Sequence, residues 1–549
     1  MPLNHEVSVL NLLTDSWLPV RRRQTGRCLI RSSQITEHHA DDPIIGIDWP
    51  RPDFRIATLE FLIGLLATAV PPYERRDWHR WWHTPPAPEE LDEAFAPIAH
   101  AFALDGNGPR FLQDLEDLQS GAEPIERLLI EAPGEATINK NTDLLVHRGR
   151  VESLGRAAAA MALYTFQSWA PAGGAGNRTG LRGGGPLVTL VAPGPVPTLW
   201  QLLWANVPGG YEIPDREDLP KIFPWLVPTV TSEGARTVTP AGAHPLQCWW
   251  GMPRRIRLDF SPADPARPCD ITGSPDSMYV ATWRQRPRGA NYDAWGRTHP
   301  LTPHYQQKPG SEHLPVHPQP GGIGYRHWLG LVLDSADGLR ARAQTVADWP
   351  GRGADIGIRK ARLIAAGYDM DNMKARGFVE SEMPLPSAPD AASQKRLDNL
   401  AKALVQSADQ VAGLLRSAVR NALFSPGATV KLDAAQLNAL RERLWEETET
   451  DFFARLNNAA DGPEEDLDAS RQGWQRLLRA TALRLFDETA PLAADSGATA
   501  AARTGKARRL LATALAGYGP MGRELFNALS LAPAETVGAK EPKRKRKST

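Results

Sequence analysis

The residue types best suited to chemistry in this chain sit in one tract, WAPAGGAGNRTGLRGGGPLVTLV, from Trp169 to Val191. It holds seven glycines, two arginines and one asparagine. Glycine lets main chain approach a ligand closely and offer bare N–H groups to phosphates or base edges. Asn177, Arg178 and Arg182 suit contacts to nucleic-acid backbone or grooves. Two nucleotide-binding readings fail. A phosphate loop of the form G-x-x-x-x-G-K-[ST] needs a lysine after its glycines, and none follows here. A dinucleotide fingerprint runs strand, glycines, helix. Here a helix-like run precedes the glycines and a strand-like run follows, so no helix N-terminus faces a phosphate. The competing reading is an ordinary surface connection.

Two further stretches carry polar patterns. TWRQRPRGANYDAWGR, Thr282 to Arg297, sets Arg284, Arg286, Arg288 and Arg297 among Trp283, Tyr292 and Trp295. Basic residues with interleaved aromatics suit nucleic acid, although a solvated charged face fits as well. IRKARLIAAGYDMDNMKARG, Ile358 to Gly377, reads as a helix-like run into a turn, with Asp371, Asn372 and Met373 at the tip. That tip is either a wedge or a plain hairpin.

Metal and nucleophile chemistry find little support. His79 and His83 are four apart on an expected helix, but no acidic partner lies usefully between them. His299, His304, His313 and His317 fall in a proline-rich stretch whose spacing matches no zinc finger, and Cys269 lacks a CxxC partner. The cluster His38, His39, Asp41 and Asp42 suggests a metal-dependent nuclease or hydrolase, yet no second His/Asp cluster completes a two-metal site. No G-x-S-x-G elbow occurs. These absences favour a protein that binds rather than catalyses, with no cofactor and no metal.

Elements that position these residues follow from the rest of the chain. At 549 residues the length suits two to four domains. Lys plus Arg and Asp plus Glu are both 63, so the net charge is zero. A protein that held nucleic acid alone by its global field would be basic. A nucleic-acid role must therefore use local patches or a larger assembly. No apolar run reaches the roughly 18 residues of a membrane helix, since Ile56–Val70 is shorter and contains Glu60. The opening MPLNHEVSVLNLL lacks the pattern of a secretory leader, and the three cysteines are scattered. Both point to the cytoplasm.

Residues 1–385 mix short strands with short helices. VSVLNLLTDSWLPVRR reads as strand, turn, strand. Ile56–Val70, Pro88–Phe102 and Gly155–Ala170 have helical spacing, and PLVTLV reads as a strand. Prolines and glycines over 205–330 argue against long regular elements there. Glu380–Ser393 reads as a linker. Beyond it, leucines at helical spacing predict a four-helix bundle over 386–535, followed by a basic, disordered tail over 536–549. The fold class is therefore α+β, a large mixed N-terminal domain plus a C-terminal bundle. No internal repeat is present.

The whole arrangement resembles the CasA family, the large subunit of the type I-E CRISPR Cascade complex. The resemblance rests on NLLTDSWLPVR, on AMALYTFQSWAPAGGAGNRTGLRGGGPLVTL, on AAGYDMDNMKARGFVESEMPLP, and on the length and the change to a helical C-terminus. It implies a non-catalytic subunit of an RNA-guided antiviral complex. Such a subunit reads the protospacer-adjacent motif of double-stranded DNA from the minor groove. It starts strand separation and R-loop formation, and helps recruit a helicase-nuclease. By position, the DNA-reading glycine loop is Gly173, Gly174, Ala175, Gly176, Asn177 and Arg178. Ala175 stands where the family has its base-contacting glycine. Arg286 stands where the family has a lysine, and Asn372, beside Asp371, where it has a wedge glutamine. Because Asn is shorter, Met370 or Met373 is expected to help part the bases. Ala136–Arg150 resembles the segment that meets the guide RNA and a neighbouring subunit, through Asn139, Lys140, Asn141, His147 and Arg148. The implied partners are the other Cascade subunits, guide RNA, target DNA and the helicase-nuclease, with no membrane.

Overall fold

The computed structural model describes residues 8–143, 147–174, 176–319, 321–371, 373–425, 434–462, 466–492 and 497–533. The chain separates into two compact units. One is Met1–Ile323 with Leu329–Leu385, and the other is Gly324–Trp328 with Pro386–Thr549.

The first unit is built around the helix Pro52–Ala69, which begins with proline at its first turn, where a missing N–H costs nothing. It is apolar on every side and buried almost throughout. Phe61 at its middle meets Trp17, Phe102, Phe111, Tyr164 and Trp250 edge-on, with ring centres 5.7–6.1 Å apart. Most of the tryptophans are thus core residues, and several of their indole N–H groups donate to carbonyls. Trp78 and Trp204 each donate to the other's main-chain oxygen, at 2.9 and 2.8 Å. The helix Arg156–Trp169 packs beside this core and stops just before Pro171. The expected helix Pro88–Phe102 is α-helical to Phe95 and then tightens into a 3-10 turn around Pro97.

Val188–Pro193 is a fully buried strand, as its apolar run predicts. Its antiparallel partner is Lys360–Asp371, with Leu190 opposite Ile364. This corrects the helix-like reading of 358–377. Leu363, Ala365 and Ala366 are buried in a sheet, and tertiary pairing overrides their local preference. Lys360–Asp371 and Lys374–Pro386 form a hairpin. The second strand runs through most of the expected linker, leaving only Ser387–Asp390 before the next helix.

The expectation of no long elements over 205–330 also fails. Arg255–Pro268 and Pro275–Arg286 make a long antiparallel hairpin. Its prolines are tolerated because Arg255–Pro268 is an edge strand whose register shifts between Pro262 and Arg267. Among the described residues of VSVLNLLTDSWLPVRR, Leu18–Arg22 is the strand. Asn11 makes an isolated bridge to Ala103, and the Asp15 carboxylate takes the Asn11 N–H at 2.7 Å, which favours a turn.

Among its described residues the second unit contains four long helices, Ala391–Leu423, Ala434–Asp461, Asp466–Thr489 and Ala498–Leu515, and a shorter fifth, Gly519–Ala528. Asp390 caps the first by accepting the Ser393 N–H at 2.9 Å. Leu400, Leu404, Leu415, Leu444, Phe452, Trp474 and Leu485 fill the core. Trp474 anchors it by donating to the Leu404 carbonyl at 3.1 Å. Tyr325 belongs to this unit, stacked on Phe452 with its hydroxyl 2.6 Å from that of Thr448. Among the described residues no helix is long and apolar enough to cross a membrane. The basic tail 536–549 lies outside the described residues.

Candidate nucleic-acid interface

The glycine tract is a shaped loop. Gly173 and Asn177 form a small bridge, with the Gly173 N–H 3.1 Å from the Asn177 carbonyl. Gly174 at its apex is exposed, and a Cβ there would meet nothing within 4 Å. Gly176 has φ +80°, a backbone only glycine adopts cheaply. Ala175 lies outside the described residues. The later glycines serve packing. A Cβ on Gly180 would lie 2.5 Å from the Ser168 carbonyl, and one on Gly185 would lie 2.6 Å from that of Tyr368.

The end of the long hairpin is tied to this loop. The Arg288 N–H donates to the Gly176 carbonyl at 3.0 Å. Arg288 holds a left-handed backbone, φ 62°, unusual for a non-glycine residue. Arg286, two residues earlier, is exposed and has no side-chain hydrogen bond or ion pair among the described residues. Arg288 is exposed and faces Glu233 at 3.6 Å. Arg178 is half-buried and bonds the Ser232 hydroxyl at 3.3 Å.

The hairpin Lys360–Asp371/Lys374–Pro386 also joins the tract. Trp169 stacks on Phe378 at 5.9 Å, and Met370 Cε lies 3.0 Å from where a Gly185 Cβ would be. Met370 therefore packs inward, whereas Met373 at the tip is 62% exposed, with φ 66°. Arg376 braces the tip through Asp369 at 2.6 Å and Asp371 at 3.7 Å. Asn372 lies outside the described residues. Loop, hairpin end and hairpin tip are thus linked by direct contacts, although Gly174, Arg286 and Met373 span two hundred residues of sequence.

Several sequence readings are corrected here. Arg182 does not face solvent. It is 3% exposed and pairs with Glu60, itself 1% exposed, while donating to the Thr302 hydroxyl at 3.1 Å. The aromatics of Thr282–Arg297 are not a stacking platform. Trp283 and Trp295 are buried, and the Tyr292 hydroxyl accepts the Met252 N–H at 2.9 Å. Arg284 is occupied by Asp259 at 3.1 Å and the Ser120 carbonyl at 2.7 Å.

Sequence reasoning missed Arg254. Nothing in MPRRIR distinguishes an inward arginine from an outward one. Arg254 is 7% exposed and its guanidinium lies over the Phe166 ring at 4.8 Å. It donates to the Arg178 carbonyl at 3.0 Å and to the Pro171 carbonyl, the two ends of the glycine loop. Burial pushes it down to about 10, so it remains charged at neutral pH.

Asn139, Lys140, Asn141, His147 and Arg148 lie on a separate exposed turn. Asn139 ends the short helix Glu135–Asn139, Lys140 follows it, and Asn141 has φ 50°. Arg148 pairs with Asp143 at 2.6 Å and bonds the Asn141 side-chain oxygen at 3.2 Å. His147 lines a cleft of about 200 Å³ with Arg51, Glu126, Glu131 and Arg150. Residues 144–146 lie outside the described residues.

Within the His38–Asp42 cluster, Asp42 is used structurally. The Asp42 carboxylate accepts Gln24 N–H at 2.6 Å and Thr25 N–H and hydroxyl at 3.2 and 2.6 Å. These bonds hold its carboxyl below the ordinary range. Of the later histidines, His304 and His313 meet ring to ring at 4.8 Å and His299 lies against Trp249. Among the described residues no group of three or more His, Cys, Asp or Glu is placed to hold a metal ion.

Known proteins share this fold. The model of the family described as CRISPR-associated protein Cse1 matches residues 11–485. The crystal structure of Cse1 from Acidimicrobium ferrooxidans has 20% identity and a TM-score of 0.65, over 93% of this chain and 98% of that one. Thermobifida fusca Cse1 has 18% identity and a TM-score of 0.66, over 95% and 99%. A chain of a structure named CRISPR RNA-guided surveillance complex has 17% identity and a TM-score of 0.63, over 93% and 100%. At these identities the structures establish a common fold. The family model spans most of the sequence, glycine tract and both hairpins included, and on that match this chain belongs to the CRISPR-associated Cse1 family.

Proposed function

We propose that the chain is the large, non-catalytic subunit of a type I-E Cascade surveillance complex and reads the protospacer-adjacent motif of duplex DNA from the minor groove. The observation that carries this reading is the linkage of three distant segments: main chain exposed at Gly173 and Gly174 and half-buried at Gly176, the exposed Arg286, and the hairpin tip with Asp371 and Met373. The minor groove offers mainly acceptors and one guanine amino group. Backbone N–H groups and one cation read such a surface permissively, leaving sequence choice to guide pairing. Asn372 and Met373 then wedge the adjacent base step and start the R-loop. Asn139, Lys140, Asn141, His147 and Arg148 meet guide RNA and a neighbouring subunit. Zero net charge suits a subunit held by partners rather than by its own field. Recruitment of the helicase-nuclease completes the role.

Gel shifts of motif-bearing duplexes by the assembled complex test this. Arg286→Ala should weaken motif-dependent binding by about 1–3 kcal/mol and leave assembly intact. Unchanged affinity, or metal-dependent cleavage of DNA by the isolated chain, would refute it.

A further inference from the structure

We propose that the open face of Gly173 is a DNA phosphate site, with Arg254 as its cation and Asn177 as its second ligand. The inference rests on the glycine loop being the DNA-reading element and adds a backbone contact to it. The point a Gly173 Cβ would occupy is 3.0 Å from Asn177 Cβ, 3.3 Å from Asn177 Nδ2 and 3.6 Å from Arg254 Nη1, so a side chain there would crowd Asn177. Two N–H donors therefore border the Gly173 main chain, which glycine leaves uncovered. Gly173 is exposed there. Arg254 spends Nε and Nη2 on the Arg178 and Pro171 carbonyls. Among the described residues its Nη1 and the Asn177 side-chain amide have no hydrogen-bond partner. Its main-chain N–H goes to Gln167 at 3.1 Å, and Gly289 lies flat on Pro253 and Arg254. The guanidinium is thus held rigidly, with its remaining donor directed at the loop face.

A buried cation without a carboxylate partner is costly unless a ligand completes it. Among the described residues Arg254 has no ion-pair partner, and a bound anion would supply one. A phosphodiester oxygen has the right charge and size, and a planar guanidinium suits it. Such a contact sets the register of the duplex while carrying no sequence information. The glycine main chain then meets the same base step each time.

Salt dependence separates a phosphate ligand from a mere brace. In the complex assembled with guide RNA, binding of motif-bearing and motif-scrambled duplexes is followed between about 50 and 200 mM salt. Arg254→Gln should flatten the log–log slope by about 0.9 on both duplexes. Arg254→Lys keeps the charge and should restore most of the slope. Asn177→Asp, a surface change that leaves the core untouched, should weaken both duplexes about tenfold, the effect of one lost phosphate contact. Lower affinity with an unchanged slope in Arg254→Gln would reduce Arg254 to a brace and overturn the site. Wild-type affinity in Asn177→Asp would do the same. A slope change confined to guide-RNA loading would assign the phosphate to RNA and also overturn it. Gly174→Val isolates the parent reading. If it abolishes motif discrimination while the Arg254 and Asn177 variants behave as wild type, only the phosphate site fails.

Discussion

Replacing Arg182 by methionine tests how the glycine tract is anchored. Arg182 pairs with Glu60 inside the first unit, and both side chains are 4% exposed or less. The two other groups beside Glu60 are uncharged in the intact protein. The Tyr164 hydroxyl lies 3.4 Å from the Glu60 carboxylate, and His299 lies 3.6 Å away. Burial, and then Arg182 itself, hold that imidazole well below its usual range, so it is neutral. Arg182→Met therefore strands a buried carboxylate, which costs about 3–5 kcal/mol. The unit has roughly 380 residues. At about 2.1 cal/mol/K per residue its unfolding entropy is about 0.8 kcal/mol/K, so the transition should fall by about 4–6 °C. Differential scanning calorimetry would read this in the transition of the first unit. Glu60→Leu combined with Arg182→Met removes both charges, and should recover at least half of the loss. A single variant within about 1 kcal/mol of wild type, or a double variant worse than the sum of the singles, would refute the reasoning.

Other outcomes follow from the same contacts. Gly289→Ala places a Cβ 2.0 Å from the Pro253 carbonyl oxygen, whereas Gly174→Ala meets open space. The first should destabilise by about 1–3 kcal/mol or more and displace the Arg286 segment, and the second should leave unfolding unchanged, as chemical denaturation will report. Met373→Ala should slow strand opening more than initial docking, seen with 2-aminopurine beside the motif; equal opening rates would remove Met373 from the wedge. Burial, then His313 and Arg297, hold His304 down at about 4, and burial also lowers His299 and His317. These histidines bind fewer protons folded than unfolded, so stability is full above the ordinary value of 6.5 and falls as pH drops toward 4. Urea midpoints that stay flat across that window would contradict this.

Much of this molecule was legible in the residues because local rules acted without competition. Leucine spacing marked the C-terminal helices, Pro171 ended the helix before the glycines, and the all-apolar run of PLVTLV announced a buried strand. Residue type also singled out the glycine tract as the candidate for main-chain contact. What the chain alone did not determine was which way each polar side chain turns. Arg178, Arg182 and Arg254 are the same residue type in similar surroundings of sequence. One bonds a hydroxyl at the surface, one closes a buried ion pair, and one clamps the loop from beneath. The long hairpins were hidden for a related reason. Their prolines and alanines have poor strand preference, and only pairing with distant partners makes them strands. Side-chain direction and strand pairing depend on contacts between residues far apart in the chain, so the candidate site exists only once the tertiary structure joins its segments.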